Sequence, residues 1–103
     1  MSSLHDTAPE RIAELHGIRD RFKGEATATQ CDRLLAAMQQ LGSVTTYEAM
    51  RHLDIYDPRP RKLALVRRGH DVVTTWRTTE TESGDKHRIG VYTLRRGAAA
   101  AVL

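Results

Sequence analysis

A chain of 103 residues, 40% hydrophobic and 28% charged, suits one soluble globular domain with one modest core and argues against a separate catalytic domain. Its net charge of +3 hides an asymmetry: residues 1–50 carry five Lys/Arg against seven Asp/Glu, whereas residues 51–103 carry eleven against six. The single cysteine, Cys31, excludes an internal disulfide and a cysteine zinc cluster, and no run of about eighteen apolar residues or secretory leader pattern is present. These features point to a cytoplasmic protein, off the membrane, with no cofactor and no metal.

Met1 to Thr7 is short and polar and is expected to be mobile. Pro9 suits the first turn of a helix running to Phe22, in which Ile12, Leu15, Ile18 and Phe22 form one apolar stripe while Arg11, Glu14, Arg19 and Asp20 stay wet. Lys23-Gly24 ends it. The stripe either covers the chain's own domain or forms a seam with a second copy. A second helix is expected from Thr29, as its cap, with Leu34, Leu35, Met38 and Leu41 on one face and Gly42 as its stop. After a turn at Gly42-Ser43-Val44, Thr45-Thr46-Tyr47-Glu48 reads as a capping box opening a short helix to Leu53, with Ala49, Met50 and Leu53 packing inward. Leu53-Asp54-Ile55-Tyr56 is an apolar turn in which Tyr56 packs. Asp57 then caps a helix that begins at Pro58, includes Pro60 in its first turn and stops at Gly69.

Beyond Gly69 the pattern changes to that of strands. Val72 to Thr79 is β-branched and aromatic, Ser83-Gly84-Asp85 is a turn, and Arg88 to Leu94 returns, which makes a hairpin. Trp76 is expected to pack across the pair beside Val91 or Leu94 and, like Tyr92, to be structural. Three helices and a hairpin, in that order, describe an α+β winged helix-turn-helix with an extra N-terminal helix. The expected divisions are an arm and helix at 1–28, the winged domain at 29–96 and a fraying tail at 97–103.

The segment Pro58 to Arg68 holds five positive charges and no negative one, and it falls on the helix that this topology presents to a major groove. The runs Thr29 to Leu35, Val44 to Ala49, Leu53 to Tyr56 and Arg67 to Val72, with the wing residues Thr75-Trp76-Arg77, Gly84, His87-Arg88-Ile89 and Tyr92-Thr93-Leu94, resemble the small helix-turn-helix proteins of bacteriophages and prophages. That resemblance covers Thr29 to Leu94 and implies a winged helix that binds DNA. The chain departs from the pattern at Lys62, where relatives tend to be apolar, so Leu63 and Val66 compete with Leu65 for the inward face.

The DNA-contact candidates follow. Arg59, Arg61 and Lys62 lie in the first turn, where cations oppose the helix dipole and call for an anionic partner; an Arg there can read guanine. Arg67 and Arg68 suit phosphates or simply the dipole. Thr45, Thr46 and Tyr47 can meet a phosphate, with a structural cap as the competing explanation for both threonines. Arg77, Lys86, His87 and Arg88 can reach backbone or minor groove from the wing, although Glu80, Glu82 and Asp85 temper its charge. No catalytic or metal constellation emerges from the scattered His5, His16, His52, His70 and His87 or from Cys31. Two functions remain open: a double-stranded-DNA-binding regulator or excisionase-like factor of a phage or mobile element, dimeric through Ile12, Leu15, Ile18 and Phe22, or a winged-helix module that grips an acidic host protein.

Overall fold

Pro9, whose fixed φ suits a first helical turn, opens α1 (Pro9–Arg21) in the computed structural model, which describes residues 8–80 and 82–95. The two segments expected to be mobile, Met1 to Thr7 and Gly97 to Leu103, lie outside the described residues. Helix α2 (Thr27–Leu41) starts two residues ahead of the expected Thr29 cap, behind Ala26 and without a side-chain cap; the Ala26 carbonyl takes the N–H of Gln30 at 3.0 Å. Gly42 ends it at φ 90, a left-handed conformation that glycine alone adopts readily, with its N–H on the Met38 carbonyl.

Ser43–Thr45, expected to be a turn, is a strand, β1. Three residues are too few to show a strand period, and what makes them one is a distant partner. The hairpin of β2 (Val72–Glu80) and β3 (Lys86–Leu94) brings β3 alongside β1, pairing Ser43 with Thr93, Val44 with Tyr92 and Thr45 with Val91. The antiparallel sheet has the order β1-β3-β2. Helix α3 (Thr46–His52) carries the expected capping box: the Glu48 N–H donates to Thr45 Oγ1 at 3.0 Å, and the Thr45 N–H donates to the Glu48 carboxylate at 3.1 Å. Helix α4 (Pro58–Arg67) is capped by Asp57, which accepts from the Arg59 N–H, and is stopped by Gly69 at φ 98. Four helices and a three-stranded antiparallel sheet make the α+β arrangement of a winged helix-turn-helix.

The core gathers Leu34, Ala37 and Met38 from α2, Val44 from β1, Ala49, Leu53 and Ile55 from α3 and the turn after it, Leu65 from α4, and Val72 and Tyr92 from the wing. Leu15 and Ile18 of α1 are fully enclosed in this same cluster, and Phe22 packs against it. Of the two uses open to the stripe, covering the chain's own domain is the one that Leu15, Ile18 and Phe22 show, and Ile12 is half-buried. Two further expectations are corrected. Met50 and Tyr56 are 52% and 91% exposed rather than packed, because a two-turn helix that directs Ala49 and Leu53 inward must point the residue after Ala49 about 100° away. Asp54, in the left-handed region at φ 57, bends the turn that buries Ile55 and leaves Tyr56 outside.

Two polar ties hold the helices in place. Arg33 of α2 is 3% exposed and donates five hydrogen bonds to four carbonyls: Phe22, twice, and Gly24 after α1, and Leu53 and Asp54 after α3. A guanidinium satisfies helix C-terminal carbonyls and matches the negative ends of both helix dipoles. Arg11 of α1 grips Glu48 with Nε at 2.7 Å and a second nitrogen at 3.0 Å, and also donates to the Ser43 carbonyl at 2.7 Å. Burial pushes the Glu48 carboxyl up, but the hydrogen bonds from Arg11 and from the Thr45 N–H outweigh it, so the group ionises below its usual range.

Replacing Arg33 by Met strands those carbonyls and is expected to cost about 2–4 kcal/mol in urea unfolding. Arg33→Lys should recover little of that loss, since one ammonium cannot reach both helix ends as the planar fork does. For Glu48, a depressed folded-state pKa means stability that is present above the ordinary glutamate value and lost as pH falls through the lower folded value. Glu48→Gln should therefore be less stable than the parent by about 1–3 kcal/mol at pH 7, with the gap closing on acidification in denaturation curves taken from pH 7 to pH 3.

Candidate nucleic-acid interface

Helix α4 has two unlike faces. Pro58 and Leu65 are buried, Ala64 packs against the core, and Arg61 and Lys62 are half-buried on the flanks of that inward stripe. The competition at Lys62 is thus decided for Leu65, and Leu63 and Val66 remain 44% and 40% exposed. The helix lies on α2, where Cys31 Sγ sits 3.9 Å from the Arg61 carbonyl and the Arg61 Nε is enclosed without a hydrogen-bond partner among the described residues. The outward face is Arg59, Pro60, Leu63, Val66 and Arg67, at the i, i+1, i+4, i+7 and i+8 positions of one stripe.

The cationic candidates are therefore unequal. Arg59 is 81% exposed at its side chain and rests on the Asp57 carboxylate at 3.2 Å. That contact, chiefly its hydrogen bond, holds Asp57 below the usual carboxylate range. Arg67 is exposed, and Arg68 leans back toward Asp32 of α2 at 3.7 Å, which supplies an internal reason for it. Thr45 is buried and occupied by the capping box. Thr46 is half-buried, and Tyr47 is half-buried with its ring edge-on to His52. On the wing, Arg77, Lys86, His87 and Arg88 are all exposed.

Trp76 is not beside Val91 or Leu94. The register sets Trp76 opposite Gly90, Thr75 opposite Val91 and Val72 opposite Leu94, so Val91 lies on the other face, and Leu94, on the Trp76 face, is four residues further along the pair. Trp76 is 60% exposed with the Arg88 guanidinium 4.9 Å over its ring, whereas Tyr92 is buried as expected. A cleft opens between the wing and the N-termini of α3 and α4, bordered by Met50, Tyr56, Arg59, Trp76 and Arg88. Sequence reasoning did not single out Met50, Tyr56, Leu63 or Val66 as surface features. For α4 the signal was available: Pro58 and Leu65 are seven residues apart, and taking them as one stripe puts Leu63 and Val66 outside.

Residues 29–97 match the family described as a winged helix-turn-helix domain. The chain belongs to that family. No curated protein and no solved structure gives a significant match. A winged helix-turn-helix domain is a fold that suggests DNA binding, and its family is typically non-enzymatic. Helix α1 lies outside the matched segment yet contributes to the same core. No helix among the described residues is long and apolar enough to cross a membrane.

In this winged helix-turn-helix domain the wing can reach the start of α3 because position 90 is glycine. A Cβ there would lie 3.1 Å from Thr46 Cγ2 and 3.6 Å from the Trp76 ring. Gly90→Ala is accordingly expected to cost about 1–2 kcal/mol by overpacking. Thr46→Ser, which removes the offending methyl, should restore much of that loss in the double variant, measured as a coupling energy in urea unfolding.

Proposed function

We propose that this protein binds duplex DNA, laying the outward face of α4 in the major groove while the wing lies on the adjacent backbone. The observation that carries this reading is the division of α4: the face free of the core holds Arg59 and Arg67, and the exposed wing cations Arg77, Lys86, His87 and Arg88 belong to the hairpin whose strand β2 packs on it. The membership in a winged helix-turn-helix family supports the same reading. Arg59 is the preferred base-edge or phosphate contact, with Arg67, Arg77, Lys86, His87 and Arg88 on phosphates. Arg61 and Lys62 serve as nearby charge rather than base readers, since both are half-buried. Thr46 and Tyr47, at the start of α3, are retained as secondary phosphate contacts, and Arg68 as a helix-end charge.

Such a protein acts as a regulator or excisionase-like architectural factor of a phage or mobile element, in the cytoplasm. Because Leu15 and Ile18 are enclosed within the chain, this reading does not call on α1 to pair two copies.

Titration of a labelled duplex across salt concentration should give a log–log slope of several units, at about 0.9 per neutralised phosphate. Trp76, the one tryptophan of the chain, offers an independent fluorescence readout. The combined variant Arg59→Ala, Arg67→Ala and Arg88→Ala should lower that slope by roughly three units, while Arg61→Ala should leave it nearly unchanged. Flat salt dependence in the parent protein would overturn the reading and favour an acidic protein as the partner.

A further inference from the structure

The outward face of α4 carries more than charge. At its centre are two branched aliphatic side chains, Leu63 and Val66, 44% and 40% exposed on a helix that buries Pro58 and Leu65. They are not needed to fill the core, which Leu65 supplies from this helix. An arginine stands at each end of this apolar patch, Arg59 four residues before Leu63 and Arg67 four residues after it, so all three share one stripe. A surface of this kind matches one feature of duplex DNA: the major groove offers phosphates along its walls and, on its floor, a single apolar group, the thymine 5-methyl.

Resting on the duplex reading above, we propose that Leu63 and Val66 determine specificity by packing against thymine 5-methyl groups, with Arg59 and Arg67 anchoring the helix at either side. The charge pattern selects this occupant over an apolar protein surface, because a hydrophobic protein contact would leave both arginines opposite uncharged neighbours, whereas phosphates flank the groove floor on both sides. The same geometry accounts for the half-burial of Arg61 and Lys62. Arg61 lies toward the core side of the helix and Lys62 at the margin of the outward stripe, four residues before Val66, and both contribute field rather than base contacts. The apolar centre therefore makes this helix a reader of methyl position, with arginine contacts setting register.

Thymine and deoxyuridine pair identically with adenine and differ only in that methyl. A 20-base-pair duplex recovered by selection from random sequence is therefore compared with its all-deoxyuridine counterpart in parallel titrations. The parent should bind the thymine duplex about 4- to 15-fold more tightly, the equivalent of one or two buried methyls. Leu63→Ala, at an exposed position that should leave the fold intact, should lose most of this preference while keeping the salt slope and its affinity for the deoxyuridine duplex. Val66→Ala should do so in part, and circular dichroism checks that both variants fold.

Equal affinity of the parent for the two duplexes, or an undiminished preference in Leu63→Ala and Val66→Ala combined, would overturn the inference while leaving duplex binding standing. Absence of salt-dependent binding to either duplex would overturn both.

Discussion

Arg33 is the constraint on which the remaining geometry rests. A buried guanidinium is tolerable here because it faces the carbonyl ends of two helices, and those carbonyls need donors as much as the cation needs acceptors. By meeting Phe22 and Gly24 on one side and Leu53 and Asp54 on the other, it sets where α1 ends and where the turn into α4 begins. The left-handed Asp54 lies within that turn, so the direction of α4 follows from a bond made by α2. A cation in the first half of the chain thus positions the most basic helix of the second half.

Around that centre, the second tie does a related job at the opposite end of α3. Glu48 closes the capping box on Thr45 and at the same time receives Arg11, whose Nη2 also donates to the Ser43 carbonyl of β1. One carboxylate therefore joins α1, α3 and the sheet. His16 and His52 meet at 3.2 Å across the same α1–α3 contact, where burial first, and then the charges of His16 and Arg51, disfavour a second proton on His52. Helix α1 is held by polar ties as well as by Leu15 and Ile18, which is why it belongs to the same core although the family match begins only at residue 29.

The division of labour on α4 changes what its charge means. As a string of residues, Pro58 to Arg68 is a cluster of five cations, but the folded helix spreads them over three environments. Arg59 and Arg67 face outward, Arg61 and Lys62 flank the core, and Arg68 turns toward Asp32. The outward face that remains is apolar at its centre and cationic at its ends. On the wing, the same logic brings Arg88 over Trp76 and leaves an exposed aromatic beside Tyr56 and Met50.

Local chemistry alone determined the helices that carry caps and stops: Thr45 and Glu48 at α3, Asp57 and Pro58 at α4, Gly42 and Gly69 at helix ends, and the alternation that makes Val72 to Leu94 a hairpin. Each of these depends on neighbours within a few residues, so each is readable in order along the chain. Ser43–Thr45 became a strand only because β3 lies beside it, and the cross-strand neighbour of Trp76 depended on a register that its own sequence does not encode. Whether Leu15 and Ile18 meet their own core or another chain, and whether Leu65 or Leu63 turns inward, rested on contacts between residues tens of positions apart. Periodicity defines a stripe, but only the partner that packs on it decides which stripe is inside.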